Sequence, residues 1–145
     1  MASSDGFRMA AIDPGVTTGW ALLEDDRVVS SGQVLAESVR ADWRRAELEA
    51  VRELVAIVGH VDGWACEDFI LRGRSASREA LSPVRIAAML FAMVGVGVPW
   101  WWVSPSDAKS VVTDDRLRAW DAWVVGKHAR DAVRVGLVAH RRRQS

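Results

Sequence analysis

The sequence predicts an α/β fold: one mixed five-stranded sheet, flanked by helices, with the element order β-β-β-α-β-α-β-α. Two observations predict it. Residues 9–34 contain three short apolar runs separated by turn residues, which is the pattern of an antiparallel meander. Beyond residue 42, helical patterns alternate with apolar runs, as in parallel strands covered by helices. For 145 residues, half of them hydrophobic, we expect a single domain over residues 1–145, with residues 1–6 and 141–145 flexible.

The first two strands are expected to form a hairpin around Asp13. One apolar run ends at Asp13, the chain turns at Pro14-Gly15, and a second apolar run begins after two threonines. Pro14 presets the turn, and Gly15 supplies a backbone that is free to take a positive φ. A polar turn at residues 24–26 leads to the third strand, residues 27–34. Asp13 therefore stands at the end of a strand, although an isolated Asp-Pro-Gly is usually an ordinary turn.

A first helix is expected from Asp42, its N-cap, to about Val58, with Gly59-His60 closing it. Its apolar face consists of residues at helical spacing, namely Leu48, Val51, Val55 and Val58. Residues 61–69 then form a short strand that ends in two acids.

The remaining chain alternates helix and strand. Ser82 as N-cap and Pro83 at the first position predict a second helix to Gly95. Residues 98–104 form the fifth strand, and at least two of its three tryptophans should lie in the core, because successive strand residues face opposite sides. Next we expect a short helix capped by Ser106, and then a helical segment that places Trp120 and Trp123 in the core or in a dimer interface. After a break at Gly126, we expect a helix over residues 128–140 and a basic tail at residues 141–143.

Cysteine content and the N-terminus indicate the compartment. Cys66 is the only cysteine, so no internal disulfide can form, and a reducing cytosol fits best. Its apolar neighbours predict that it is buried. The first residues have neither the basic nor the apolar region of a signal peptide, so we expect a cytoplasmic protein.

Two longer-range patterns concern membranes and polyanions. Residues 86–103 carry no charge, but Gly95, Gly97 and Pro99 interrupt them, which favours a buried helix and strand over a membrane span. The formal net charge is zero, yet acids predominate in residues 1–70 and Lys and Arg in residues 71–145. This separation permits a basic face for a polyanion.

Four candidate metal ligands are expected to meet at one edge of the sheet. Asp13 and Glu67 each end a strand, and the ends of parallel neighbouring strands share an edge. His128 and Asp131 are three residues apart on the last helix and so face the same way. Acids gathered without matching bases repel one another unless a cation compensates, and carboxylates with one imidazole suit Mg²⁺ or Mn²⁺. Taken singly, each has an ordinary explanation, such as a solvated turn or a helix cap.

The sequence resembles the RuvC family of Holliday junction resolvases, of the ribonuclease H-like fold, in a short phage or prophage version. The residues that carry the resemblance are Ile12-Asp13-Pro14-Gly15, Thr18-Gly19-Trp20-Ala21, Glu67, the stretch 104–113 that contains Lys109, and His128-Ala129-Arg130-Asp131-Ala132. They occur in the family's order and span nearly the whole chain.

The resemblance implies a structure-specific endodeoxyribonuclease. Asp13, Glu67 and Asp131 would be the metal-binding acids, and His128 falls where family members have an Asp or a His. Two Mg²⁺ (or Mn²⁺) ions would support hydrolysis that leaves 5′-phosphate and 3′-hydroxyl ends. The partners would be a four-way DNA junction and a second copy of the chain, in a bacterial or phage-infected cell, with no nucleotide cofactor and no membrane. Lys109 would match a lysine that contacts the DNA backbone.

Further DNA contacts are expected at positions that depart from the family's pattern or that follow the Glu67 strand. The family's second lysine has no counterpart here, and Arg116 or Arg118 would replace it. Phe69 is the nearest candidate for the aromatic residue that wedges into a junction. Three arginines follow the Glu67 strand and would overhang the site, where they would bind phosphates independently of sequence: Arg72, Arg74 and Arg78.

Two alternatives stay open at this stage. The stretch from Asp13 to Gly19 also resembles the phosphate-binding hairpin of actin-like ATPases, although that fold normally needs two such domains, and ATP binding without DNA would support it. The other alternative is a non-catalytic module that binds branched DNA. Failure to cut any branched substrate with Mn²⁺ would favour the module.

Overall fold

The computed structural model describes residues 6–36, 42–69 and 77–145. It contains one five-stranded sheet in the spatial order β3-β2-β1-β4-β5. The strands are β1 (Arg8–Asp13), β2 (Thr17–Glu24), β3 (Arg27–Leu35), β4 (Gly63–Glu67) and β5 (Trp100–Val103). β1, β2 and β3 form an antiparallel meander, whereas β4 lies parallel to both β1 and β5. The predicted α/β class, with a mixed five-stranded sheet, is confirmed.

Helices cover both faces of this sheet. They are α1 (Trp43–Val58), α2 (Arg78–Leu90), α3 (Pro105–Val111), α4 (Asp114–Ala119) and α5 (Lys127–Gln144), and α2 continues as one π-helical turn, Phe91–Gly95. One core lies under α1 and α2 and includes Ile12, Trp64 and Leu54. The other lies under α5 with α3 and α4 and includes Met9 and Val133. Successive residues of β1 therefore point into opposite cores.

Helix α5 lies very close to the sheet because glycines remove the side chains between them. A Cβ on Gly136 would lie 2.7 Å from a methyl carbon of Leu23 and 2.9 Å from the Cβ of Ala11. At the other end of the helix, a Cβ on Gly19 would lie 1.9 Å from the carbonyl oxygen of His128. The first turn of α5 thus rests directly on the backbone of β2.

Several predicted local features are confirmed. Asp42 accepts a hydrogen bond from the backbone N–H of Arg45 at 3.2 Å and caps α1, which ends at Gly59 with φ of 69°. Trp100 and Trp101 pack into opposite cores, and Cys66 is fully buried. Among the described residues, no helix combines the length and apolarity needed to cross a bilayer.

Both predicted Ser caps in the C-terminal half are wrong. α2 begins at Arg78, because Ser77 accepts a hydrogen bond from the backbone N–H of Ala80 at 3.0 Å. Ser82 is buried and Pro83 lies inside the helix, which buries Ile86 and Leu90 despite losing one backbone hydrogen bond.

In α3, the cap is Ser104, which accepts from the N–H of Asp107 at 3.1 Å, and not Ser106. Pro105 then occupies the first turn, where its missing N–H costs nothing. Gly15 does not take the positive φ that its missing side chain would permit. The Thr18 hydroxyl closes this turn, donating to the Gly15 carbonyl at 2.9 Å, and the positive-φ glycines of the described chain are Gly59, Gly97 and Gly126.

The end of the chain differs most from the prediction. α4 ends at Ala119, so Trp120 and Trp123 follow it instead of lying within it, and they are 48% and 39% exposed, which excludes them from the core. α5 continues to Gln144 and includes the arginines that were assigned to a tail. Arg142 connects this part of α5 to α3, donating to Asp107 at 2.8 Å and to the Trp102 carbonyl at 3.0 Å.

The buried face of α1 is rotated slightly from the predicted one. Ala50, Val51, Leu54 and Val58 are buried, whereas Leu48 and Val55 are only half-buried.

We predict that Gly19→Ala lowers the free energy of unfolding by about 2–3 kcal/mol, since its Cβ would overlap backbone atoms that cannot rotate away. Urea denaturation measures the loss, and the NMR signals of the His128 ring should move as the first turn of α5 is displaced. Gly15→Ala is the matched control, because its Cβ would come no closer than 3.3 Å to the Thr17 carbonyl oxygen. Equal stability of the two variants would contradict the direct seating of α5 on β2.

Candidate functional site

Strand register places a row of residues side by side at one edge of the sheet. Asp13 of β1 pairs with Gly19 of β2, which pairs with Gln33 of β3. The parallel ladder between β1 and β4 brings Glu67 beside Asp13, so the expectation that these strands are parallel neighbours is confirmed. One residue per strand thus contributes to the row Glu67, Asp13, Gly19 and Gln33.

The two acids of this row face α5. Ala11 and Ala65 precede them by two residues in β1 and β4, and both lie in the core under α5. Because side chains alternate along a strand, Asp13 and Glu67 emerge on that same face. Asp68, one residue further, is exposed and by the same alternation points to the other face.

Gln33 and Gly126 set the start of α5. Gly126 is the N-cap residue, with φ of 97°, and it has no side chain with which to cap the helix. Gln33 takes over this task from β3, because its Oε1 accepts a hydrogen bond from the backbone N–H of His128 at 3.1 Å. A Cβ on Gly126 would lie 2.7 Å from that oxygen. No sequence pattern predicted the role of Gln33, and Gly19 was singled out only as a member of the resemblance motif.

Asp13 and His128 are in direct side-chain contact. Nδ1 of His128 lies 3.0 Å from Oδ2 of Asp13, which is only 8% exposed. The direction of this hydrogen bond depends on which ring nitrogen carries the proton. The imidazole therefore reaches the Asp13 carboxylate from α5, as we expected from the prediction that both residues lie at the same edge of the sheet.

Asp13 and Glu67 hold protons far more tightly than ordinary carboxyl groups. Burial, and then the charge of Asp131, raise the pKa of Asp13 from 3.8 to about 7. Burial, and then the charges of Asp13 and Asp131, raise the pKa of Glu67 from 4.5 to about 7. The two carboxyl groups are also within hydrogen-bonding reach of each other. A site of this kind favours any cation that can replace the protons.

Asp131 lies one turn along α5 and is fixed by Arg134. Nη1 of Arg134 is 3.6 Å from the Asp131 carboxylate, and the same buried guanidinium pairs with Asp114 at the start of α4. Its Nε donates to the Val112 carbonyl at 3.1 Å. Arg134 thereby joins the acid-bearing face of α5 to the α3–α4 connection.

Two lysines supply positive charge to the acids. Both Lys109 and Lys127 lower the pKa of Asp13, though less than burial and Asp131 raise it. Lys109 is thus near the site, as expected, whereas Lys127 was not anticipated. Its position immediately before His128 on an expected helix start was the signal that could have found it.

The other expected DNA contacts are scattered. Arg116 is exposed and donates to the Val111 carbonyl, Arg118 stacks on Trp123, and Arg78 pairs with Glu79 on the α1–α2 side of the sheet. Phe69 follows β4 and is half-buried. Arg72 and Arg74 lie outside the described residues.

The residue types at this edge suit a hard divalent cation, since they offer three carboxylates and one imidazole. The raised pKa values of Asp13 and Glu67 show that the pair is under-compensated by positive charge. Within residues 6–36, 42–69 and 77–145, however, no group of three or more His, Cys, Asp or Glu side chains is close enough to hold an ion as arranged. The donor set fits a metal, and binding would require side-chain adjustment, in particular of the Asp131–Arg134 pair.

Comparison with solved structures supports the fold. The chain is similar to Thermus thermophilus RuvC in complex with a Holliday junction substrate, with a TM-score of 0.75 and 17% identity over 96% of each chain. A second Thermus thermophilus RuvC structure matches with a TM-score of 0.72 and 15% identity, covering 95% of this chain and 96% of that one. No protein-family model and no curated protein matches the sequence. The chain therefore has the RuvC fold, over nearly its full length.

We predict that Asp13 makes the folded protein less stable as the pH rises. The raised pKa values mean that the folded state keeps protons which the unfolded state loses near pH 4. The contribution of the protonated Asp13 and Glu67 carboxyl groups to stability is complete below about pH 4 and is lost as the pH rises to about 7. Relative to Asp13→Asn, the wild-type free energy of unfolding should fall by about 3 kcal/mol between these limits.

Urea denaturation of both proteins across this pH range measures the difference. Asp68→Asn is the matched control, because it removes an exposed acid one residue beyond Glu67. A constant difference between wild type and Asp13→Asn would contradict the raised pKa of Asp13.

Proposed function

We propose that this protein is a divalent-metal-dependent endonuclease that cuts branched DNA, with the four-way junction as its substrate. One observation carries the proposal: the buried Asp13 and the half-buried Glu67 face His128 and Asp131 at one edge of a RuvC-like sheet. Raised pKa values mark catalytic and metal sites more often than structural ones. The fold by itself indicates only the class of architecture.

Asp13, Glu67 and Asp131 would hold the metal, Mg²⁺ or Mn²⁺, with His128 as a further ligand or as the group that orients water. When bound, a pair of such ions activates a water molecule and stabilises the leaving oxygen of a phosphodiester. Asp13 is central in this arrangement, because it adjoins both Glu67 and His128.

The remaining residues act on the substrate and on the acids. Lys109 and Lys127 stand near Asp13, where their charges attract a DNA phosphate and offset the carboxylates. Arg134 holds Asp131 on the site face until a stronger cation competes for it. His128 keeps its Nδ1 3.0 Å from Oδ2 of Asp13.

Branched DNA and a homodimer complete the proposal. The similar Thermus thermophilus protein was solved with a Holliday junction substrate, which makes such DNA the first ligand to test. A four-way junction has two equivalent strands to cut, and a dimer with two-fold symmetry supplies two equivalent active sites. Both would operate in the cytoplasm of a bacterial or phage-infected cell.

We predict that Asp13→Asn reduces junction cleavage roughly 10³-fold, because losing a metal-binding carboxylate removes several kcal/mol of transition-state stabilisation. Junction binding should stay within about threefold of wild type. The assay compares a four-way junction, a flap, a fork and a linear duplex, each with Mg²⁺ and with Mn²⁺. Asp68→Asn, the exposed neighbour of Glu67, should cleave like wild type.

Thermal denaturation gives a second measure that does not depend on activity. Mn²⁺ should raise the melting temperature of wild type at about pH 8 and leave that of Asp13→Asn unchanged. Cleavage by Asp13→Asn at the wild-type rate would refute the assignment. If wild type binds junctions but cuts nothing with Mn²⁺, the protein is a binding module, and ATP binding without DNA would favour the actin-like alternative.

A further inference from the structure

A single buried arginine, Arg134, is shared between two carboxylates. Its side chain is only 8% exposed, and it lies on α5 one turn after Asp131. Its Nη1 is 3.6 Å from the Asp131 carboxylate, and its Nη2 pairs with Asp114, the first residue of α4. One positive charge therefore serves two acids, of which Asp131 is a candidate metal ligand and Asp114 is not.

The two acids are held unequally by this arginine. Arg134 donates one hydrogen bond to Asp114 and another, from Nε, to the Val112 carbonyl at 3.1 Å. At 3.6 Å, by contrast, its contact with Asp131 is longer than a hydrogen bond and is held by charge alone. Releasing Asp131 thus breaks no hydrogen bond of Arg134, whereas releasing Asp114 would break one.

A divalent cation at the acids would compete with Arg134 for Asp131. The cation has twice the charge of the guanidinium, so at equal distance its attraction for the carboxylate is twice as strong. Once Asp131 has turned to the cation, the buried guanidinium still needs a counter-charge, because an unpaired buried charge is costly. Asp114 supplies that counter-charge from outside the set of candidate ligands.

We propose that Asp114 sets the metal affinity of the site by keeping Arg134 neutralised while Asp131 binds the ion. Without Asp114, Asp131 is the one carboxylate that the described chain leaves paired with Arg134, so binding an ion strands a buried positive charge. Asp114 is thus a positioning residue that acts through Arg134. The inference rests on the proposed function, because it concerns the metal which that function requires.

Asp115 is a matched reference for Asp114. Both acids lie in the first turn of α4, and both line the cavity of about 610 Å³ beside α5. Asp115 is 99% exposed and lies 3.8 Å from Arg118, its ion-pair partner in the described chain. The two residues therefore share their charge and their helical turn, and they differ in the arginine that they contact.

The Mn²⁺ affinity of the full chain, measured from the electron paramagnetic resonance signal of free Mn²⁺, tests this role. Asp114→Asn should raise the Kd for Mn²⁺ about tenfold, as expected when an outer partner of a metal ligand is lost. Asp115→Asn should stay within about twofold of wild type, since exposed ion pairs contribute little. An unchanged Kd in Asp114→Asn would overturn the proposal. Equal weakening by Asp115→Asn would do the same, because it would indicate only the loss of negative charge near the site.

A double-mutant cycle shows whether Asp114 acts through Arg134. Arg134→Gln removes the competing charge and should lower the Kd for Mn²⁺ about threefold, even though its melting temperature falls. Adding Asp114→Asn to Arg134→Gln should then leave the Kd unchanged. A tenfold loss that persists in the double variant would identify Asp114 as a direct ligand and refute the positioning role. A purely structural pair would lower the melting temperature and leave every Kd as in wild type.

Wild-type protein gives a measurement that does not depend on the folding of any variant. In ¹⁵N-labelled protein, Mg²⁺ should shift the Nε–H signal of Arg134, because the guanidinium loses Asp131 as its neighbour. Arg85 is the reference, since its Nε donates to Glu47 at 2.7 Å on the other face of the sheet and its signal should stay in place. An Arg134 signal that does not move at saturating Mg²⁺ would contradict the exchange of Asp131 between arginine and metal.

The outcomes separate this proposal from the nuclease proposal. If wild type cleaves junctions and binds Mn²⁺ no more tightly than Asp114→Asn, the nuclease proposal stands and the role of Asp114 falls. If wild type binds Mn²⁺ about tenfold more tightly than Asp114→Asn but cuts no DNA, the role of Asp114 stands and the nuclease proposal falls. If wild type binds no Mn²⁺, both fall.

Discussion

The contact between the first turn of α5 and Gly19 is the constraint on which the candidate site depends. His128 can reach Asp13 only because its own backbone occupies the space that a side chain on β2 would fill. Gln33, next to Gly19 in the sheet, then bonds the His128 N–H and fixes the start of the helix. Lys127 and Asp131 take their positions from that start, so one missing Cβ sets the positions of three candidate site residues of α5, including His128.

The same site opposes the stability of the fold. Burial and mutual repulsion raise the pKa of both Asp13 and Glu67, so near neutral pH the folded protein carries charge that the unfolded chain would place in water. Close packing of α5 against β1 and β2 offsets this unfavourable term, since Ala129, Ala132, Val133 and Gly136 are all fully buried. A protein tolerates such local destabilisation where a ligand or cation relieves it.

Sequence patterns predicted the parts of this structure that depend on periodicity. Strand ends and parallel order put Asp13 beside Glu67, and helical spacing put His128 beside Asp131. Sequence patterns did not predict the features that are determined by tertiary contacts. Ser77 and Ser82 are equally good caps by type, and only the packing of α2 selects the first. Gln33 has no local pattern at all, because it acts on a helix 95 residues away in the chain.

Aromatic rings stack against arginines on both faces of the sheet, but within the described parts of the chain the charge of the arginine is neutralised on only one of them. On the α1–α2 side, Arg85 stacks on Trp43 at 4.1 Å, but the buried carboxylate of Glu47 neutralises it by accepting two hydrogen bonds from the half-buried guanidinium, at 2.7 and 2.8 Å. That pair joins α1 to α2 and leaves little charge for a ligand. On the α5 side, Arg130 stacks on Trp123 and donates a hydrogen bond to the Val124 carbonyl. The same stacking therefore accompanies an ion-paired arginine on one face and, among the described residues, an arginine bonded to a backbone carbonyl on the other.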